Sequence, residues 1–320
     1  MNRAIEFISR YRSFALAAHR NPEGDAIGSL LAVRHLLQGL GKSALAYSGD
    51  PAPAFLSWLP GADRMLFEIK ALEGAEAVIV LDCGDLERPG EEFRQFAASR
   101  PTLNIDHHQT NTHFGTVNWV DAAASSTGEM IALLARTMKV RLSPEIATCL
   151  YCAILTDTGS FQFPNTTARA LELASEMIAA GAKPQVIANH YYHAQPVSRL
   201  LLLSRCLATL EFSHDFSQGE LVITLEMFER SGAGPDAAEG IINFLMDVAT
   251  VKVAVLYRQS GSQEWKVSLR SKGELDVAGL CEGFGGGGHK NAAGCRLSGS
   301  LAEVKKTVRE NVAKLLHSAS

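Results

Sequence analysis

Residues 77–81 read Ala-Val-Ile-Val-Leu and stop at once on Asp82. Five consecutive apolar residues, three of them β-branched, suit a strand buried on both faces and are too few for a helix. The arrangement recurs along the first half of the chain. Residues 14–18 (FALAA) form another such run, followed by the polar turn HRNPEGD and then by AIGSLLAVRHLLQGLG, whose apolar residues keep helical spacing up to Gly41. Ala44–Tyr47 and Thr102–Ile105 read as further short strands. From Ser125 to Ala182 the spacing is helical, broken at Thr156–Thr167 by the turn-rich TDTGSFQFPNTT. Strands alternating with helices predict an α/β fold with a parallel sheet flanked by helices.

At 320 residues the chain is long for one core, so two domains are expected. The first spans 1–190. Around Pro184–Pro196 the text turns aromatic and polar (NHYYHAQP), and Val197–Phe212 reads as one helix, so 191–214 is taken as a linker helix. The remainder, 215–320, shows strands at Glu220–Leu225, Val251–Arg258 and Trp265–Arg270, a helix at Asp276–Gly283, the run GFGGGGHKNAAGC and a terminal helix Leu301–Leu316. This predicts a smaller mixed-sheet α/β domain, with a cleft between the two domains.

Composition narrows the function classes. An apolar fraction of 47% with 20% charged residues describes an ordinary globular chain, not a disordered or fibrous one. No window approaches the roughly 18 to 20 consecutive apolar residues of a membrane span. Met1–Arg12 mixes charges with single apolar residues, unlike a secretory signal, and six scattered cysteines read as reduced thiols; a cytoplasmic protein is expected. The net charge is −4, and residues 215–320 carry 12 Lys and Arg against 13 Asp and Glu. Long nucleic acid gripped along its phosphates is therefore not expected, whereas a short anionic substrate at one local site is allowed.

Four polar clusters stand where strands or helices of the first domain end, which is where open parallel sheets place their sites. They are His19-x-x-x-Glu23-Gly-Asp25, Asp82-Cys-Gly-Asp85, Asp106-His107-His108 and Thr156-Asp157-Thr-Gly159. Any one carboxylate has a bland reading as a helix cap, and any one histidine as a hydrogen-bonded core residue. So many carboxylates in one crevice, however, call for a multivalent cation. Imidazole and carboxylate without thiolate suit Mn, Mg, Fe or Co better than structural zinc. Six or more ligands exceed one ion's needs; two ions about 3.5 to 4 Å apart would use them and activate water against a phosphorus ester. In the second domain Ser268-Leu-Arg270-Ser271 and Gly285–Gly288 with His289 offer charge and converging backbone N–H groups for an anion.

These motifs, together with Gly-Gly-Gly-Gly-His289-x-x-Ala-Ala-Gly294, resemble in order and spacing the DHH phosphoesterases, and the distal one resembles the DHH-associated domain. Within that superfamily, two domains without extra modules are most similar to the bifunctional oligoribonuclease (nanoRNase) and pAp phosphatase group. The resemblance implies that His19, Glu23 and Asp82 bind one manganese-like ion and that Asp25, Asp82, His107 and Asp157 bind the other, with Mg²⁺ or Co²⁺ as alternatives to Mn²⁺. It assigns His108 to the scissile phosphate and Asp106 to orienting the histidines. Arg270, Ser271, Gly287, Gly288 and His289 would grip the substrate. Glu23 stands where the family commonly has Asp.

The implied activity is a two-metal attack of hydroxide on phosphorus, an exonuclease-type degradation of short RNA to nucleoside 5′-monophosphates, with conversion of 3′-phosphoadenosine 5′-phosphate (pAp) to AMP. A cyclic or linear dinucleotide phosphodiesterase is the enzymatic alternative, and a nucleotide-binding sensor the non-enzymatic one. A homodimer is expected by analogy, and no membrane partner. Three further features are weighed here. Cys149-Leu-Tyr-Cys152 reads as buried core, His190-Tyr-Tyr-His193 as packing between domains, and Ser125-Ser126-Thr127 as either a helix start or a source of substrate hydroxyls.

Overall fold

The computed structural model describes residues 1–193 and 195–318; the side chains of His289 and Ser318 lie outside the described set. The chain forms two compact units, Met1–Ala194 and Gln195–Ser320.

The first unit runs α1 (Asn2–Arg10), β1 (Ser13–Ala17), α2 (Gly24–Gly39), β2 (Ser43–Tyr47), β3 (Ala77–Leu81), α3 (Glu91–Ala97), β4 (Thr102–Asp106), β5 (Val117–Val120), α4 (Thr127–Thr137), α5 (Pro144–Asp157), α6 (Ala168–Ala179) and α7 (Pro184–Tyr192). Its five strands are parallel in the order β2-β1-β3-β4-β5. Alternation along the strands fills both faces. Phe14, Leu16, Ile79, Leu81, Leu103 and Ile105 face α2, α4 and α5, while Ala15, Ala17, Val78 and Val80 face Tyr47, Phe93 and Phe96. The first four strands and the helical run after Ser125 follow the expectation; β5 does not appear in it.

The strand order reverses between β1 and β3, the point where an open α/β sheet leaves a crevice beyond its carboxyl ends. Chain leaving β1 carries His19, chain leaving β3 carries Asp82, and β4 ends on Asp106 before His107 and His108. Close helix packing shapes the other wall. A Cβ on Gly28 of α2 would lie 2.6 Å from the Cys149 carbonyl oxygen of α5, and one on Gly24 would lie 2.4 Å from Thr156 Oγ1. Small residues thus let the start of α2, with Asp25, meet the end of α5, with Asp157.

The second unit comprises α8 (Val197–Leu207), β6 (Glu211–Phe212), β7 (Gln218–Ile223), α9 (Leu225–Ser231), α10 (Asn243–Met246), β8 (Val253–Gly261), β9 (Glu264–Ser271), α11 (Val277–Glu282), β10 (Gly287–His289), β11 (Ala292–Ser298) and α12 (Leu301–Ser318). Its six-stranded sheet has the order β10-β11-β9-β8-β7-β6, parallel only at β7 and β8, so it is mixed as expected. The helix expected over Val197–Phe212 ends at Leu207. Thr209 Oγ1 donates to the Cys206 carbonyl (2.7 Å) and accepts from Val222 N–H (2.9 Å), which ties the chain to β7 so that Glu211 and Phe212 pair as a strand.

All six cysteines are buried thiols, and Cys149 and Cys152 lie in the core of α5. In the aromatic patch expected to pack between domains, two residues contact rings of the first unit. His190 stacks on Trp58 with centroids 4.5 Å apart, and Tyr191 meets Phe55 edge-on at 5.4 Å.

Candidate metal centre

The four sequence clusters converge at the β1/β3 reversal. Asp82 occupies the middle, almost fully buried, and adopts φ 56°, a left-handed conformation uncommon for a residue with a Cβ. Its two oxygens face different imidazoles. Oδ2 lies 3.5 Å from His19 Nε2, and Oδ1 lies 3.5 Å from His107 Nε2. Around the first, Glu23 Oε1 approaches His19 Nε2 at 3.1 Å. Around the second, Asp157 Oδ2 and Asp25 Oδ2 lie 3.4 and 3.8 Å from His107 Nε2. Three overlapping donor groups result, His19/Glu23/Asp82, Asp82/His107/His108 and Asp25/His107/Asp157, the first two sharing Asp82 and the last two sharing His107.

Four of the six ligand candidates, Asp25, Asp82, His19 and His107, are held from behind. Backbone N–H groups of Thr127 and Gly128, in the first turn of α4, donate to Asp25 at 2.7 and 2.8 Å, and Ser29 Oγ donates at 2.9 Å. A helix N-terminus suits a buried carboxylate through its unsatisfied N–H groups and dipole. Thr127 Oγ1 lies 3.2 Å from Asp82 Oδ1, so one residue braces both carboxylates. His19 Nδ1 pairs with the Arg20 carbonyl oxygen at 2.8 Å and His107 Nδ1 with that of Ala124 at 3.3 Å, which aims each Nε2 at the carboxylates.

His108 differs. Its Nδ1 lies 2.7 Å from Asp106 Oδ1, a short pairing that competes with an ion for this nitrogen, although Asp82 Oδ1 is 3.8 Å away. Asp106 is fully buried, and its other oxygen accepts from Asn111 Nδ2 at 2.6 Å; Asn111 also donates to Asn104 Oδ1 and the Cys83 carbonyl. Asp106 thus links His108 to a buried amide network.

The electrostatics ask for a cation. Burial and the charges of Asp82 and Asp157 push the Asp25 carboxyl well above its ordinary range, against the pull of the α4 N–H groups. Burial likewise lifts Asp157 to about 6 despite the nearby His107. Burial disfavours a charged His19, yet its bonds to Asp82 and Glu23 outweigh this and raise it to about 10. Burial acts to raise Asp82, but the His19 bond and the charges of His107 and His108 hold it well below the usual carboxylate range. Protons here stand in for missing positive charge, and an all-oxygen-and-imidazole donor set fits divalent ions of the Mn, Mg or Co type.

Sequence reasoning missed Thr127 as a brace, and Asn104 and Asn111 as partners of the Asp106 network. It left Ser125-Ser126-Thr127 open. Ser126 caps α4 through Glu129 N–H (3.0 Å), and Ser125 binds the fully buried Glu129 carboxylate (2.6 Å), which also pairs with Arg169. In the second unit Arg270 is the penultimate residue of β9, its guanidinium donating to the Leu269 carbonyl and its pKa lowered by burial. Ser271 Oγ donates to the Leu275 carbonyl (2.7 Å) and accepts from Asn291 (2.9 Å), so it shapes the turn. Gly287 and Gly288 lie on the edge strand β10; a Cβ on Gly288 would come within 2.5 Å of the Ala292 carbonyl oxygen. The His289 side chain lies outside the described residues.

Comparison with known proteins agrees with this geometry. Residues 13–154 match the DHH family N-terminal domain and residues 219–317 the DHHA1 domain. A curated relative from Thermus thermophilus, named bifunctional oligoribonuclease and PAP phosphatase NrnA, is 33% identical over 310 residues, covering 93% of this chain and 90% of its own. The chain belongs to the DHH family. It is a phosphoester hydrolase of a metal-dependent family, and its acidic and imidazole side chains form groups that could hold a metal ion. A Bacillus subtilis protein of the same name is 29% identical over 92% of both chains. A crystal structure described as an exopolyphosphatase-related protein from Bacteroides fragilis is 26% identical with a TM-score of 0.92, covering 98% of this chain and 95% of that one. Among the described residues no helix is long and apolar enough to cross a membrane.

Proposed function

We propose that this DHH-family chain hydrolyses short oligoribonucleotides to nucleoside 5′-monophosphates and removes the 3′-phosphate of pAp to leave AMP. The observation that carries the reading is the division of Asp82 between two imidazoles, 3.5 Å from each through different oxygens. Relatives spanning nearly the whole chain are named for both activities, which supports the choice of substrates.

In this reading His19, Glu23 and Asp82 hold one divalent ion and Asp25, Asp82, His107 and Asp157 the other, with Mn²⁺ the preferred metal. The pair supplies Lewis-acid charge and a water activated for attack on phosphorus. With Nδ1 committed to Asp106, His108 meets a phosphate oxygen through Nε2. The Asp106 bond, against burial, raises the His108 pKa, which favours a protonated donor beside the developing negative charge. Arg270 and the glycine strand 287–288, with His289, contact the substrate's remaining phosphate or base, and Ser271 keeps the turn beside Arg270 in shape. The chain's modest charge suits substrates a few nucleotides long.

The test is product chromatography with Mn²⁺ or EDTA on labelled di- to pentaribonucleotides, pAp and cyclic di-AMP. Manganese-dependent mononucleotides together with AMP from pAp are expected. Action on the cyclic dinucleotide alone would replace this reading with a signalling phosphodiesterase, and metal binding without any hydrolysis would replace it with a sensor.

A further inference from the structure

Asp157 ends α5, and the chain then passes through three consecutive residues in the left-handed region, Gly159, Ser160 and Phe161, at φ 55°, 64° and 64°. For Ser and Phe this conformation is costly and persists only where the surroundings impose it. Here they do. Buried Thr158 accepts from Phe161 N–H through Oγ1 (3.2 Å), and its carbonyl accepts from Gln162 and Phe163 N–H groups, both at 3.0 Å. Asn165 Nδ2 clamps the far side, donating to the Asp157 and Ser125 carbonyls at 3.0 and 2.9 Å.

The loop sorts its two phenylalanines. Phe161 turns inward and meets Tyr151 edge-on at 6.2 Å. Phe163 stays 55% exposed, and its ring lies against Gly159 so closely that a Cβ there would fall 2.5 Å from two ring carbons. Single exposed apolar residues are ordinary. This one is held by a strained, hydrogen-bonded loop that begins at a metal-ligand candidate, and it leaves an aromatic ring open to solvent six residues after Asp157. A ring of that kind suits a nucleobase, because every base stacks whatever its hydrogen-bonding edge.

We propose that Phe163 is the stacking platform for the base of the nucleotide adjoining the scissile phosphate, making it a specificity residue that favours nucleotides over other phosphoesters of equal charge. This rests on the nucleotide reading above and adds to it a named contact in the catalytic unit.

The experiment compares Phe163→Ala, Phe163→Leu and Phe163→Trp with the unsubstituted manganese-loaded enzyme on a diribonucleotide and on its analogue with abasic ribose at both positions. The Ala and Leu variants are expected to raise KM for the diribonucleotide roughly five- to a hundredfold with kcat little changed, and Trp to keep it near the original value. On the abasic analogue all four should match. Unchanged KM for the diribonucleotide in both Ala and Leu, or an equal loss on the abasic analogue, overturns the proposal. If Ala fails to fold, the Leu against Trp contrast decides. An unsubstituted enzyme inert on both substrates overturns the nucleotide reading itself, an outcome separate from the variants' behaviour.

Discussion

Replacing Asp106 by Asn tests how the buried network serves His108. The carboxylate accepts twice, from His108 Nδ1–H at 2.7 Å and from Asn111 Nδ2 at 2.6 Å, and it has no exposure to water. An amide has one accepting end. If its oxygen faces His108, its NH₂ opposes the Asn111 NH₂, a donor against a donor in a dry site. If it turns over, the NH₂ faces His108 Nδ1 and stabilises the tautomer protonated on Nε2 while removing the charge that favours a protonated ring. Either way the positioned proton donor is impaired, a contribution of about 10²- to 10⁴-fold in general acid–base catalysis. We expect kcat to fall by about 10²- to 10³-fold, or about 3 to 4 kcal/mol of barrier, with KM and manganese content close to normal. The decisive arm is the double variant. Because Asp106 acts through His108, Asp106→Asn added to His108→Ala should cost nothing further, whereas two independent roles would multiply. Steady-state kinetics on a diribonucleotide give both numbers. A folded Asp106→Asn enzyme with kcat within a few-fold of the original, or fully multiplicative losses, would refute the reasoning.

Other expectations follow from the same geometry. Arg270→Ala should raise KM by about tenfold or more while leaving manganese content intact, as loss of a charge-assisted phosphate contact does; unchanged kinetics on every substrate remove it from the site. Gly28→Val places a Cβ 2.6 Å from the Cys149 carbonyl oxygen and 3.0 Å from Ala153 Cβ, so α2 must move off α5. Overpacking of this kind costs about 1 to 3 kcal/mol, visible as a lower melting temperature together with weaker manganese binding as Asp25 leaves Asp157; an unshifted melt contradicts the packing argument. His19 has its folded pKa raised from an ordinary 6.5 to about 10, so its stabilisation is fully present below pH 6.5 and is lost as pH rises through about 10. Thermal melts in EDTA should therefore weaken across that window, and manganese should lessen the loss by replacing the proton; a flat profile in EDTA contradicts it.

Much of the centre was legible because a parallel sheet puts its chemistry where apolar runs stop. His19, Asp82 and the Asp106-His107-His108 triplet each follow such a run directly. What escaped the sequence depends on distant partners. Thr127 braces Asp25 across 102 residues, and nothing about a threonine at a helix start announces it. Asn104 and Asn111 are ordinary polar residues until folding buries them around Asp106. β5 is a half-buried edge strand, Val-Asn-Trp-Val, without the apolar density that marks β3. The His190 region was read as interdomain packing because no local signal points back to Trp58, more than a hundred residues earlier.

Equilibrium dialysis of manganese, read as ions per chain on the unsubstituted protein and on Asp82→Ala, addresses the central claim of one carboxylate shared by two ions most directly. Two ions per chain are predicted, with both sites weakened together in Asp82→Ala. One ion per chain, or two that persist unchanged without the Asp82 carboxylate, would contradict the account.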